Sequence, residues 1–185
     1  MPNWCSNGIT LRHADPAMIE RVVKGQEGLL MEFLPTPKEL LDTVAGFVGE
    51  DKQAAHEAQM KSNLEKHGYA NWYDWNIANW GTKWDFALES IDRTDANTVV
   101  ASFESAWSPP TTAYERLMEL GFEITAYYYE PGMCFVGKWE DGCDDYFEIG
   151  GYDSTNVREA IGEELDDYFA ISEGMADWEE ENQED

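Results

Sequence analysis

The spacing of apolar and polar residues changes several times along the chain, and each change marks an element. Residues 4–11 end in Ile9-Thr10-Leu11 after Asn7-Gly8 and read as a first strand. Asp15-Pro16 then supplies an N-cap and a first-turn proline. Met18, Ile19, Val22 and Val23 follow as a helical stripe that Gly25 ends. Residues 28–34 form a short apolar run into Pro35-Thr36-Pro37, and residues 38–42 suit one helical turn. A loop spans 46–49. Residues 51–67 read as a long helix with few large apolar side chains, stopped by Gly68, and such a helix lies over the domain rather than inside it.

The second half alternates with the shorter strand period. Residues 86–91 and 98–107 predict a hairpin across the polar turn 92–97. After Ser108-Pro109-Pro110, Thr112 and Glu115 fit a capping box. It opens a helix whose buried face is Tyr114, Leu117 and Met118, and Gly121 stops it. Residues 123–129 are a further strand, and 134–140 with 146–149 read as a hairpin around Asp141-Gly142. Residues 156–169 carry the stripe Val157, Ile161, Leu165, Phe169, so one helix is expected there.

The order β-α-insertion-β-β-α-β plus a hairpin is that of a ferredoxin-like α+β fold, an antiparallel sheet with two helices on one face. A single domain is expected over residues 1–171, with a helical insertion at about 28–83 and an acidic helix at about 156–170. Residues 172–185 read as a disordered acidic tail.

Two features alter this picture. The first is the tract NWYDWNIANWGTKWD at 71–85, which holds four of the eight tryptophans. Indoles combine large apolar area with one N–H that needs a partner. Trp80 and Trp84 read as core, with Gly81 permitting a tight backbone and Lys83 pairing with a nearby carboxylate. Trp72, Tyr73 and Trp75 read either as core or as an exposed protein-binding patch.

The second feature is charge. The net charge is −26, and residues 140–185 contribute −17 of it, with Arg158 their one basic residue. Direct contact with nucleic acid or an anionic membrane is disfavoured, because phosphate binding needs basic patches. A basic partner, the surface of a nucleic-acid-binding protein or cations, is favoured instead, the other reading being that the acidity only maintains solubility. Glu159, Glu163, Glu164, Asp166 and Asp167 fall off the apolar stripe of the acidic helix, and Trp178 stands in the tail beyond. Carboxylates at i and i+4 lie roughly 6 Å apart, close to the phosphate spacing of a nucleic-acid strand.

Catalytic chemistry has little support. His13, His56 and His67 sit beside no nucleophile, and no zinc-protease, nucleophile-elbow, phosphate-loop or dinucleotide motif occurs. The carboxylates around residues 141–145 lack the pattern of a calcium loop. No metal or cofactor is expected. Cys5, Cys134 and Cys143 are too few and too scattered for a disulfide framework and suit reduced thiols. Neither a signal peptide nor an apolar span is read, and a cytoplasmic protein is expected.

MPNWCSN at 1–7, FLPTPKEL at 33–40, NWGTKWD at 79–85 and FESAWSPP at 103–110 together resemble the YubB-like ferredoxin-like-domain proteins of plasmids and phages. The resemblance covers about residues 1–150 and implies a ferredoxin-like fold and a mobile-element origin, with no activity assigned to particular residues. The expectation is a non-enzymatic acidic protein that inhibits a basic host protein, a defence component or nucleic-acid-binding protein, by imitating a phosphate backbone. The alternatives are a regulatory module acting through the tryptophan tract, and a metal-dependent hydrolase.

Overall fold

The computed structural model describes residues 3–183, and of Gln183 the backbone alone. Met1 and Pro2 of the opening motif and the last two residues of the acidic tail lie outside the described residues. The fold is α+β and is built on a six-stranded antiparallel sheet.

Strand β1 (Trp4–His13) feeds α1 (Pro16–Lys24), where the Asp15 side chain accepts from the Ala17 N–H at 2.9 Å. Four helices follow: α2 (Leu29–Phe33), α3 (Lys38–Leu41), α4 (Glu50–His67) and α5 (Trp72–Trp80). Then come β2 (Ser90–Asp92), β3 (Thr98–Ala106), α6 (Thr111–Glu119), β4 (Phe122–Glu130), β5 (Phe135–Glu140) and β6 (Cys143–Glu148). The chain ends in α7 (Val157–Ile161), α8 (Glu163–Phe169) and α9 (Ile171–Gln183).

The sheet order is β2-β3-β1-β4-β5-β6. Ile9 of β1 faces Ala101 of β3 on one side and Ala126 of β4 on the other. On one face, Ile9, Leu11, Phe103, Ile124 and Trp139 pack against Ile19 and Val22 of α1, Leu30 and Phe33 of α2, Trp80 of α5 and Leu117 of α6. The opposite face of β4 and β5 carries a second, smaller core. There Val136 packs with Ile149, Val157, Ile161, Leu165 and Ile171, and Tyr127 and Tyr129 join them. One helical layer therefore covers the first face, and the acidic C-terminal layer covers part of the second.

Four expectations are corrected. Residues 86–89 are not strand: Leu88 N–H donates to Gln26 O at 2.7 Å and Leu29 N–H to Phe86 O at 3.4 Å, so the backbone pairs with the loop before α2. Helix α6 has Pro110 at its N-cap and no side-chain cap bond, so Thr112 and Glu115 form no capping box. The single helix expected at 156–169 is two, because Gly162 (φ +85°) adopts a conformation that favours glycine and turns the chain between α7 and α8. The described part of the tail expected to be disordered, residues 172–183, belongs to α9, pinned by buried Ile171 and by Met175 against the second core. An apolar docking face, absent from the tail's composition as a whole, outweighs its charge.

Helix α4 lies on the surface as its pattern predicts. Its one buried residue is Asn63, which donates to Thr43 Oγ1 at 2.8 Å and Ala70 O at 3.0 Å. No helix among the described residues is long and apolar enough to cross a membrane.

Candidate functional site

The C-terminal layer is assembled by its few polar bonds as much as by its apolar stripe. Arg158 of α7 donates to Asp166 at 2.8 Å and to Asp167 at 2.6 Å. Asp166 also accepts from Ser172 N–H and Ser172 Oγ, each at 2.7 Å, and so joins α7, α8 and α9. Burial is the strongest single influence on the Asp166 carboxyl and pushes its pKa up, but the bonds from Ser172 and Arg158 together outweigh it and hold the group below its usual range. Hydrogen bonds to Asp167 and Asp166 raise Arg158 in turn. Lys138 Nζ of β5 donates to Glu164 at 3.0 Å, and Tyr127 O–H of β4 donates to the same carboxylate at 2.5 Å. These bonds, Tyr127 first, lower the Glu164 pKa. Glu179 of α9 accepts from Ser154 N–H at 3.0 Å and Ser154 Oγ at 2.7 Å, which ties the last helix to the loop before α7.

The carboxylates named from sequence therefore divide. Asp166 is 2 % exposed and is a joint of the layer, which corrects its assignment to the outer face. Glu164 is fastened to the sheet although its edge is open. Asp167 is exposed yet paired with Arg158. Glu159 and Glu163 face solvent, Glu163 with 85 % of its side chain exposed and a loose 3.9 Å ion pair to Arg158. Helix α9 adds Glu173, Asp177, Glu180 and Glu181, all exposed, with residues 173, 177 and 181 in one i, i+4 row. Trp178 is 64 % exposed. The α9 row lies within residues 172–185, whose acidic composition reads as tail and hides the helical spacing.

Beside Trp178 a groove of about 640 Å³ opens between α9, α8 and the β4–β5 end of the sheet. Tyr129, Tyr152 and Phe169 line it with Trp178. Sequence pattern alone did not assemble it, although one signal was present: Tyr127 and Tyr129 alternate with buried Ile124, Ala126 and Tyr128 along β4, so both faces of that strand carry apolar side chains.

The tryptophan tract proves mostly architectural. Trp80 is buried and its Nε1–H donates to Leu34 O at 2.9 Å. Trp75 is half-buried and meets Trp80 edge-on, with ring centroids 5.8 Å apart. Trp72 is half-buried against Tyr73. Trp84 is 42 % exposed, which corrects its expected place in the core. Among the described residues Lys83 pairs with no carboxylate: its Nζ sits 4.3 Å from the Trp84 ring centroid and 5.8 Å from that of Tyr73. The aromatic surface is thus Tyr73–Lys83–Trp84 rather than Trp72 and Trp75.

The motif segments meet in space. Thr36 Oγ1 donates to Asn76 Oδ1 at 2.7 Å, and Asn76 Nδ2 donates to Lys83 O at 3.0 Å, which joins the PTP loop to NWGTKWD. Asp85 accepts from the N–H groups of Leu30 (2.8 Å) and Met31 (2.9 Å) at the start of α2. Trp107 N–H donates to Asn3 O at 2.9 Å, and Asn7 Nδ2 donates to Ser105 Oγ at 2.9 Å, which joins FESAWSPP to the opening segment. Hydrogen bonds within the fold engage each of these polar motif residues, although Asn7 Oδ1 and, in NWGTKWD, Thr82 Oγ1 are buried without a partner among the described residues.

Among the described residues no group of three or more His, Cys, Asp or Glu side chains is placed to hold a metal ion. Cys5, Cys134 and Cys143 are free thiols.

No family model and no curated protein matches the chain. Among solved structures it is similar to the protein api92 from Yersinia pseudotuberculosis, described by the family model DUF1281. The identity is 12%, the TM-score 0.44, and the match covers 82% of this chain and 99% of that one.

Proposed function

We propose that the protein is a non-enzymatic binding protein that engages a basic partner through its acidic C-terminal layer. The observation that carries this reading is the asymmetry of that layer. Residues 140–185 hold −17 of the net charge of −26, and their helices α7 to α9, with ten carboxylates against the single Arg158, dock by one apolar side and leave Glu159, Glu163, Glu173, Asp177, Glu180 and Glu181 exposed on the other. Carboxylates fixed on ordered helices lose less conformational freedom on binding than carboxylates on a flexible tail. Their field also speeds encounter with a positively charged surface.

In the finer form of the proposal, the scaffold is ferredoxin-like and the layer imitates a phosphate backbone, antagonising a nucleic-acid-binding or defence protein of the host. The order β2-β3-β1-β4, with α1 and α6 on one face, supports the scaffold reading. The i, i+4 row on α9 supports the mimicry, and the resemblance to plasmid and phage proteins supports the setting. The partner is a cytosolic host protein in this reading.

Capture from host lysate by the intact chain, compared with a variant in which the six exposed carboxylates above are reversed to lysine, tests it. Basic nucleic-acid-binding proteins retained by the intact chain at low salt and lost from the variant are the expected result. The same proteins retained equally by both would reject the acidic surface.

A further inference from the structure

The groove beside α9 combines features that a bare acidic surface lacks. Its aromatic walls come from separate segments: Tyr129 of β4, Tyr152 of the β6–α7 loop, Phe169 of α8 and Trp178 of α9. Glu179 also lines it, held in place by Ser154, and no lysine or arginine does. Glu173, Asp177 and Glu180 are exposed on the same helix, and Asp153 is exposed next to Tyr152. Aromatic faces attract a cation, an apolar wall accepts a methylene stem, and a carboxylate adds a charge-assisted hydrogen bond. A purely apolar occupant would instead lie against the Glu179 carboxylate without offering it a charge partner.

We propose that this groove takes an arginine side chain presented by a short basic segment of the partner protein, a deepening that rests on the basic-partner reading. Arginine suits it better than lysine, because a planar guanidinium stacks on aromatic rings while its fork of donors reaches a carboxylate. The exposed carboxylates draw the segment in, and the groove holds it in register.

Gly174 of α9 provides a test that leaves the charge alone. A Cβ built there meets nothing within 4 Å, and Gly174 lines the groove, so Gly174→Leu places a side chain in the space that the guanidinium would occupy. Replacing a glycine inside a helix also favours the helix. The probe is fluorescently labelled hexa-arginine, titrated at fixed salt against the intact chain, Gly174→Leu, Trp178→Ala and Trp178→Phe, with hexa-lysine in parallel. Gly174→Leu and Trp178→Ala should each weaken hexa-arginine binding roughly five- to thirtyfold, Trp178→Phe should recover most of the loss, and hexa-lysine should change much less. Unchanged binding by Gly174→Leu and Trp178→Ala, with loss only on reversing Glu173, Asp177, Glu180 and Glu181 to lysine, would overturn the groove and leave the acidic surface standing. Failure of the intact chain to bind hexa-arginine would overturn the basic-partner reading and the groove with it.

Discussion

Arg158 clamps the buried carboxylate of Asp166 at 2.8 Å, and through it the last three helices share one joint. The only cation of the acidic segment, itself 43 % exposed, is thus engaged by carboxylates of its own layer. Asp166→Ala removes three hydrogen bonds at a buried site and should lower stability by roughly 2 kcal/mol. Glu163→Lys, at a carboxylate open to solvent, should change it by no more than about 0.5 kcal/mol. Urea unfolding of the two variants separates a joint from a surface charge.

This joint and the fastening of Glu164 to the sheet together set an acid limit. Glu164 and Asp166 are both held below their ordinary values of 4.5 and 3.8, so the folded state binds fewer protons than the unfolded chain in that region. Their stabilisation is complete above those values and is lost as pH falls through the lowered ones. Asp85 acts in the opposite sense. Its burial raises its pKa from 3.8 against the N–H bonds it accepts, so its ionisation costs stability as pH rises through the raised value. Melting temperature followed from neutral pH into the acid range should fall less steeply for the double variant Glu164→Gln, Asp166→Asn than for the intact chain.

The two tryptophans of NWGTKWD should behave differently. Trp80 is buried and bonded to Leu34 O, and Trp80→Ala should cost about 3–5 kcal/mol. Trp84 keeps a cation contact with Lys83 at the surface, and Trp84→Ala should cost about 0.5–1 kcal/mol. Equal losses at the two positions in chemical unfolding would contradict this division.

Much of the layout was legible because local signals agreed with the tertiary fold. Asp15-Pro16, Gly68 and Asp141-Gly142 end or begin elements where their backbone chemistry requires. The errors arose where tertiary partners decide. The N–H of Leu88 finds Gln26 O in the loop before α2 rather than a strand, and no local period reports that. Asp166 looked like its acidic neighbours, since a carboxylate shows its burial only through Ser172 and Arg158, six and eight residues away. In α9, Ile171 and Met175 mark a docking face in a segment whose acidic composition reads as disorder. The groove takes its walls from β4, α8, α9 and a loop, and no single stretch of sequence announces it.

The cysteines should differ in reactivity. Burial, with the negative charges of Glu104 and Glu130 nearby, pushes the Cys5 thiol up to about 12, whereas Cys143 is exposed on the edge strand. Thiolate is the reactive form. A thiol-specific dye at mildly alkaline pH should label Cys143 within the native protein and leave Cys5 unlabelled until the chain is unfolded. Mass spectrometry of the labelled peptides reads this directly.

Elution by duplex DNA tests the acidic layer as a phosphate-like surface most directly. Host proteins are bound to the immobilised intact chain and to the six-carboxylate reversal, then challenged with increasing DNA at constant salt. The account expects basic nucleic-acid-binding proteins to leave the intact chain in proportion to the DNA added and to be missing from the reversal. Proteins that stay bound at every DNA concentration, and bind the reversal equally well, would contradict it.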